Sequence, residues 1–217
     1  MSALRQILLA LALMLSLFLL PLSAGAQATF DPSLPALFDV TGVAADDTLN
    51  IRQTPSGKAA KIGALSPFAR NIEVTAVSES GTWGRINHAE ASGWVSLRFL
   101  RRQHDMTWHD APHGLSCFGT EPFWAADLSA DRQNFRFQFF DDPVLDMAVD
   151  WRASPENRGA GVFGFAASHF DATTFATLRR AHCSDGMSDR LYGLRTEVFV
   201  TQYGQTRAYQ GCCSLSP

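Results

Sequence analysis

Four cysteines constrain this chain more than any other feature. Cys117, Cys183, Cys212 and Cys213 all lie in its second half, and the last two are adjacent. An even number of cysteines in an exported chain reads as a disulfide framework, here with three possible connectivities for two bonds. A Cys212–Cys213 bond would close a strained ring, so the expected arrangement sends one of the pair to Cys117 and the other to Cys183. In the chain-entropy picture, loops of roughly 30 to 95 residues closed this way stabilise by ~3–4.5 kcal/mol each. The alternative is a redox-active or metal-binding vicinal pair. No CxxC accompanies it and no His follows it, so the pair is read as structural, and neither a metal nor a cofactor is expected.

Export is itself legible. Arg5 supplies a positive start, and Ile7 to Leu20 is an almost wholly apolar run of 14 residues. Ala24-Gly25-Ala26 and Ala26-Gln27-Ala28 are two overlapping small-x-small cleavage sites. This is the layout of a secretory signal peptide, spanning residues 1–26 or 1–28. The apolar run is shorter than the ~18–20 residues a spanning helix requires. The mature chain is therefore expected in the periplasm or outside the cell, with membrane contact only before cleavage. Once Arg5 is removed, 17 basic residues face 21 acidic ones, a net charge of −4. A mildly acidic chain without a basic block has no electrostatic footprint for nucleic acid.

The first half after the signal is a series of short apolar-alternating segments. Leu49-Asn50-Ile51-Arg52, Thr54-Pro55-Ser56-Gly57, Ile72 to Val77, Ser80-Gly81-Thr82-Trp83 and Gly93-Trp94-Val95 follow one another in order. Aromatic and β-branched residues bounded by Gly and Ser suit a small antiparallel sheet. Leu49, Ile51, Ile72, Val74, Trp83, Trp94 and Val95 are the expected core. The ordered set, over residues 36–101, resembles a bacterial SH3-like (SH3b) domain. That resemblance implies recognition of peptidoglycan or of envelope peptides and proteins. Three turns are the candidate surface, Gln53–Lys61, Ser78–Thr82 and His88–Ser92, with Thr54, Lys58, Glu79 and His88 as candidate contacts.

Residues 102–114 break the alternation and read as a solvated linker, in which His104, His109 and His113 do not share one helix or strand face. The second half, residues 115–217, holds seven strand candidates: Trp124–Leu128, Asn134–Phe140, Leu145–Trp151, Val162–Ala166, Phe175–His182, Leu191–Thr201 and Arg207–Cys212. Phe135, Phe137 and Phe139 fall on one face of theirs at period two. Many short strands with regular turns, and no long amphipathic helix after the signal, point to a β-barrel or sandwich. The fold class expected overall is therefore all-β: a small SH3-like barrel, then a second antiparallel barrel or sandwich stapled by disulfides. Two motifs, Cys-Phe-Gly-Thr-Glu-Pro-Phe-Trp (117–124) and Cys-Ser-Asp-Gly-Met-Ser-Asp (183–189), end with Gly211-Cys212-Cys213. Together they resemble a family of uncharacterised bacterial envelope proteins, which has no established activity to carry over.

Catalytic signatures are scarce. Cys183-Ser184-Asp185-Gly186 is superficially similar to the nucleophile region of cell-wall cysteine peptidases, but a thiolate needs a base within hydrogen-bond reach. In those peptidases the His comes well after the nucleophile, and here none follows. Glu121 with Asp185 or Asp189 could form a two-carboxylate hydrolase if the carboxyls stood ~5–10 Å apart. The Asp185–Asp189 segment also reads as a pinned turn, with Asp and Ser capping backbone N–H groups and Gly186 left-handed. Beside Glu121–Trp124 it could frame a shallow ligand site. The expected function is binding without catalysis, with an envelope hydrolase or a structural protein-partner module as alternatives. N-terminal sequencing of exported protein is expected to begin at Gln27 or Thr29; Met1 retained in a membrane fraction would contradict the signal reading.

Overall fold

Period-two patterning runs through both halves of the chain, and the structure is all-β. The computed structural model describes residues 28–29, 33–156 and 161–216. The expected signal segment, apart from Ala28, and part of the turn after Ala153 lie outside them.

The first unit comprises β1 (Ala28–Thr29), β2 (Ala36–Val40), β3 (Leu49–Arg52), β4 (Lys61–Leu65), β5 (Ile72–Val74), β6 (Ala76–Ser78), β7 (Trp83–His88), β8 (Ala91–Ser96) and β9 (Leu100–Arg102). They form two sheets, ordered β1-β6-β7-β8-β3-β4 and β5-β2-β9. Val40, Leu49, Ile51, Val74, Ile86, Val95 and Leu100 form their common core. Trp94 is buried as expected, but Trp83 and Ile72 are only half-buried. Trp83 opens β7 beside the exposed 79–82 turn, where its backbone N–H donates to the Ser78 hydroxyl, and at this strand end its side chain is only partly covered and lies outside the core cluster.

The second unit is a closed barrel of eight strands: β10 (Gly114–Thr120), β11 (Phe123–Leu128), β12 (Asn134–Phe139), β13 (Leu145–Ala153), β14 (Val162–His169), β15 (Ala172–Cys183), β16 (Tyr192–Gln202) and β17 (Gln205–Ser216). Each pairs antiparallel with the next, and β10 closes the ring against β17, from Gly114↔Ser216 to Phe118↔Cys212. Seven of these strands coincide with the expected segments. The eighth, β10, decides barrel over sandwich. An eight-stranded barrel has an interior just wide enough to fill with side chains, and here Trp124, Phe135, Phe137, Met147, Phe165 and Leu194 fill it. Trp124 fits because two inward positions beside it are glycine. A Cβ on Gly119 would lie 2.1 Å from the indole nitrogen, and one on Gly211 would lie 2.7 Å from the indole ring.

Adjacent residues on a strand face opposite sides of the sheet, and this settles the cysteines. Cys213 points into the barrel and bonds Cys117 across the β10–β17 seam. Cys212 points outward and bonds Cys183, packed with Tyr192 and Phe118. The two bonds link positions 96 and 29 residues apart, and a vicinal bond is excluded because the two side chains leave the strand on opposite faces.

The segment expected to be a solvated linker plugs one end of the barrel. Trp108 is 1 % exposed and meets the edge of Phe163 at 6.3 Å. The buried Arg132 guanidinium donates to the carbonyls of His113, Ser129 and Trp108. Composition misleads here because one aromatic among many polar residues is enough to dock the segment.

The same end of the barrel joins the first unit. Glu73 on β5 accepts the Leu215 N–H at 3.2 Å, and Pro35 packs on Gly193. Although Glu73 keeps some solvent contact, burial at this junction pushes its carboxyl up to about 8, against the smaller opposing pull of the Leu215 N–H. A carboxyl raised in the folded state stabilises while protonated, and its contribution declines as pH climbs from its unfolded value of ~4.3 through the folded one. Glu73→Gln keeps the acceptor without the charge. Its melting temperature is expected to match the wild type near pH 4 and to exceed it increasingly up to about pH 8; parallel pH profiles would contradict this.

Candidate functional site

The surface expected on the first unit does not assemble in one place. Thr54 and Lys58 lie exposed in the turn between β3 and β4. His88 ends β7 near them, its ring set closely over Gly63 of β4. Glu79 precedes β7, at the other end of that strand. The rest of the His88–Ser92 turn is occupied by the barrel. Ser92 N–H donates to the Asp189 carbonyl at 3.1 Å and Asp189 N–H to the Glu90 carbonyl at 2.9 Å. Arg190 pairs with Glu90 at 3.1 Å, and Leu191 N–H is shared by Asn87 and Ser92.

The Asp185–Asp189 segment is thus a clip between the two units. Asp185 Oδ1 accepts the N–H groups of Met187 and Ser188, and Oδ2 accepts the Ser188 hydroxyl. Gly186 takes the left-handed φ of +73° that the turn requires. Partial burial pushes the Asp185 carboxyl up, but the bonds from Ser188 and Met187 and the Arg190 charge outweigh it and hold the group below its ordinary value. Thr120 ties the turn to β10 by donating to the Asp185 carbonyl at 2.7 Å. Glu121 and Asp185 do line one shallow cleft of about 250 Å³, with Arg195 and Gln210, over the Cys183–Cys212 bond. Asp189 does not line this cleft, and its backbone is bonded in the clip. Of the two carboxylates the cleft brings together, Asp185 has both oxygens engaged in the turn.

The two ends of the barrel differ. One is plugged by Trp108 and carries the first unit. The other, framed by the turns 121–122, 140–144, 170–171 and 203–204, opens into a cavity of about 750 Å³. Its floor is aromatic: Tyr209 lies 5.1 Å from Phe137 and 5.6 Å from Phe139, and Trp124 stacks beneath Phe137 at 5.8 Å. Strand alternation aims the wall residues. Tyr209 is an inward residue of β17, so Arg207, two positions earlier, points the same way, opposite the inward Val200. Its guanidinium lies over the Phe139 ring, 5.9 Å from the centroid. At the rim the Gln202 amide donates to Asp171 at 3.3 Å and His169 approaches it at 3.6 Å. The Gln202 bond is the main reason that the Asp171 carboxyl sits below its ordinary range.

Sequence reasoning placed Phe137 and Phe139 on one face but missed Arg207, Tyr209, His169 and Asp171. In Gln205-Thr-Arg-Ala-Tyr-Gln210 both faces are largely polar, so period two identifies no inner side there. The signal that could have found them is the register of β17 against β16. Comparison with protein-family models, curated proteins and solved structures returns no match to this chain.

If the clip is structural, Asp185→Ala is expected to destabilise the protein by about 1.5–3 kcal/mol, the range for hydrogen bonds to a charged group. Amide exchange at Met187–Leu191 would accelerate selectively. Unchanged stability with unchanged exchange would show that the turn holds without its carboxylate.

Proposed function

We propose that this chain is an exported envelope binding protein that holds a small ligand in the open mouth of its barrel, without catalysis. The observation that carries this reading is the cavity of about 750 Å³, with an aromatic floor and an inward guanidinium, at the end facing away from the first unit. Ligand sites are concave, mostly apolar and fitted with a few convergent polar groups, and the mouths of β-barrels are a preferred place for them. The two disulfides are consistent with an oxidising compartment, extracellular or periplasmic, which supports the signal-peptide reading of residues 1–28.

A second contact belongs to the SH3-like unit, for which the resemblance implies peptidoglycan or envelope peptides. Its support is the 53–60 turn, exposed at Thr54 and Lys58 and clear of the clip. The hydrolase alternative, Glu121 with Asp185 or Asp189, has less support, since Asp185 is engaged in its turn and Asp189 lies outside the cleft that holds Glu121.

The fluorescent probe N-phenyl-1-naphthylamine is expected to bind the mature protein saturably at one site. Val200→Trp, which fills the cavity, and Phe139→Ser, which removes part of its floor, should each weaken binding by at least about tenfold, ~1.4 kcal/mol. Folding of each variant is checked by circular dichroism. Binding undisturbed in both folded variants would place the ligand elsewhere. Thr54→Ala and Lys58→Ala are expected to leave probe binding intact and to weaken sacculus pull-down; undiminished pull-down by both would remove the second contact from that turn.

A further inference from the structure

The polar groups of the mouth select one class of ligand. We infer that the barrel takes an anionic amphiphile, an apolar body bearing one carboxylate or phosphate group, with Arg207 receiving the anion. The inference rests on the mouth being a ligand site and adds what fills it.

Arg207 is the decisive residue. Its side chain springs from the inner face of β17, where an arginine sits between the buried Tyr209 and the exposed end of the barrel. The guanidinium rests over Phe139, and among the described residues it forms no ion pair. Three carboxylates, Asp142, Asp146 and Asp171, also line the cavity, and among the described residues none of them pairs with the guanidinium. Asp171 accepts Gln202 and faces His169. Asp146 occupies the exposed position between the inward-facing Leu145 and Met147. Asp142 sits in the 140–144 turn, its N–H bonded to the Phe139 carbonyl. An arginine fork presents several donors to a carboxylate or phosphate at once, and such bonds are stronger than neutral ones.

The rest of the mouth is built for an apolar body. Below Arg207 lie the rings of Phe139, Tyr209 and Phe137, and above it the lips carry Phe170, 99 % exposed, and Tyr203, 82 % exposed. Both lips are hairpin tips next to residues that line the cavity. A ligand entering here passes over apolar lips, sets its body on the rings and leaves its charged group level with the guanidinium.

A matched pair of probes tests this. N-phenyl-1-naphthylamine is neutral, and 1-anilinonaphthalene-8-sulfonate has the same aromatic body with one anion. The wild type is expected to prefer the sulfonate by about tenfold or more. Arg207→Gln should abolish the preference by lowering the sulfonate's affinity to that of the neutral probe. Submicellar dodecanoate and dodecyl phosphate should displace the sulfonate, whereas dodecyltrimethylammonium should not. Equal affinity for both probes, a preference surviving Arg207→Gln, or displacement by the ammonium would overturn the anion assignment while leaving the mouth a site. Failure of both probes to bind would overturn the mouth itself. Displacement by phosphatidylglycerol vesicles would trace the anion to a membrane lipid, and displacement by the free acids alone to a soluble one; either upholds the class.

Discussion

The second unit depends on one seam. Until β10 pairs with β17 the sheet has two edges, each presenting unpaired backbone donors and acceptors, and no enclosed interior exists to receive Trp124 and the phenylalanines. Closure satisfies both edges together, which is how barrels escape the edge problem. Cys117–Cys213 lies within this seam, so the covalent constraint acts where the non-covalent one is most needed. The mouth inherits its shape from the same closure, since its walls on β17 and β12 are held opposite each other only in a ring.

Strands were legible in the second half wherever apolar residues alternate, as in Phe135 and Phe137. β10 was not, because its pattern is inverted by tertiary packing. The inward position at Gly119 is empty to admit Trp124, and the outward position at Phe118 is apolar because it packs with Tyr192. The linker was misread for a related reason: Trp108 is docked by a buried arginine from a distant turn. The disulfide framework could be read as far as excluding the vicinal bond, but the choice between the two remaining pairings needed the facing of Cys212 and Cys213. Arg207 was invisible because its importance lies in its register against Val200, a relation between strands that one strand's residues do not encode.

The two motifs that looked most like chemistry turn out to serve architecture. In the first, Cys117 closes the seam, Gly119 makes room and Trp124 fills it. In the second, Cys183 anchors a turn that Asp185 shapes and Asp189 and Arg190 carry onto the first unit. With the plug and the clip at the same end, the open mouth is directed away from its neighbour, and access to it does not require the two units to separate.

Both cysteines that lock the barrel onto its earlier strands lie side by side on β17, the strand furthest along the chain. A chain that emerges N-terminus first therefore delivers Cys117 and Cys183 to an oxidant before either native partner has arrived. At that stage they can pair only with each other, a bond that the finished barrel does not contain. Reaching the native pairing from there requires exchange, in which an arriving thiolate attacks the early disulfide through a mixed intermediate. A single attack, by Cys213 on Cys117 or by Cys212 on Cys183, makes one native bond and releases the other early thiol, which the same oxidant then joins to the neighbouring cysteine. The adjacency of Cys212 and Cys213 thus brings both native partners to the early bond on one short segment.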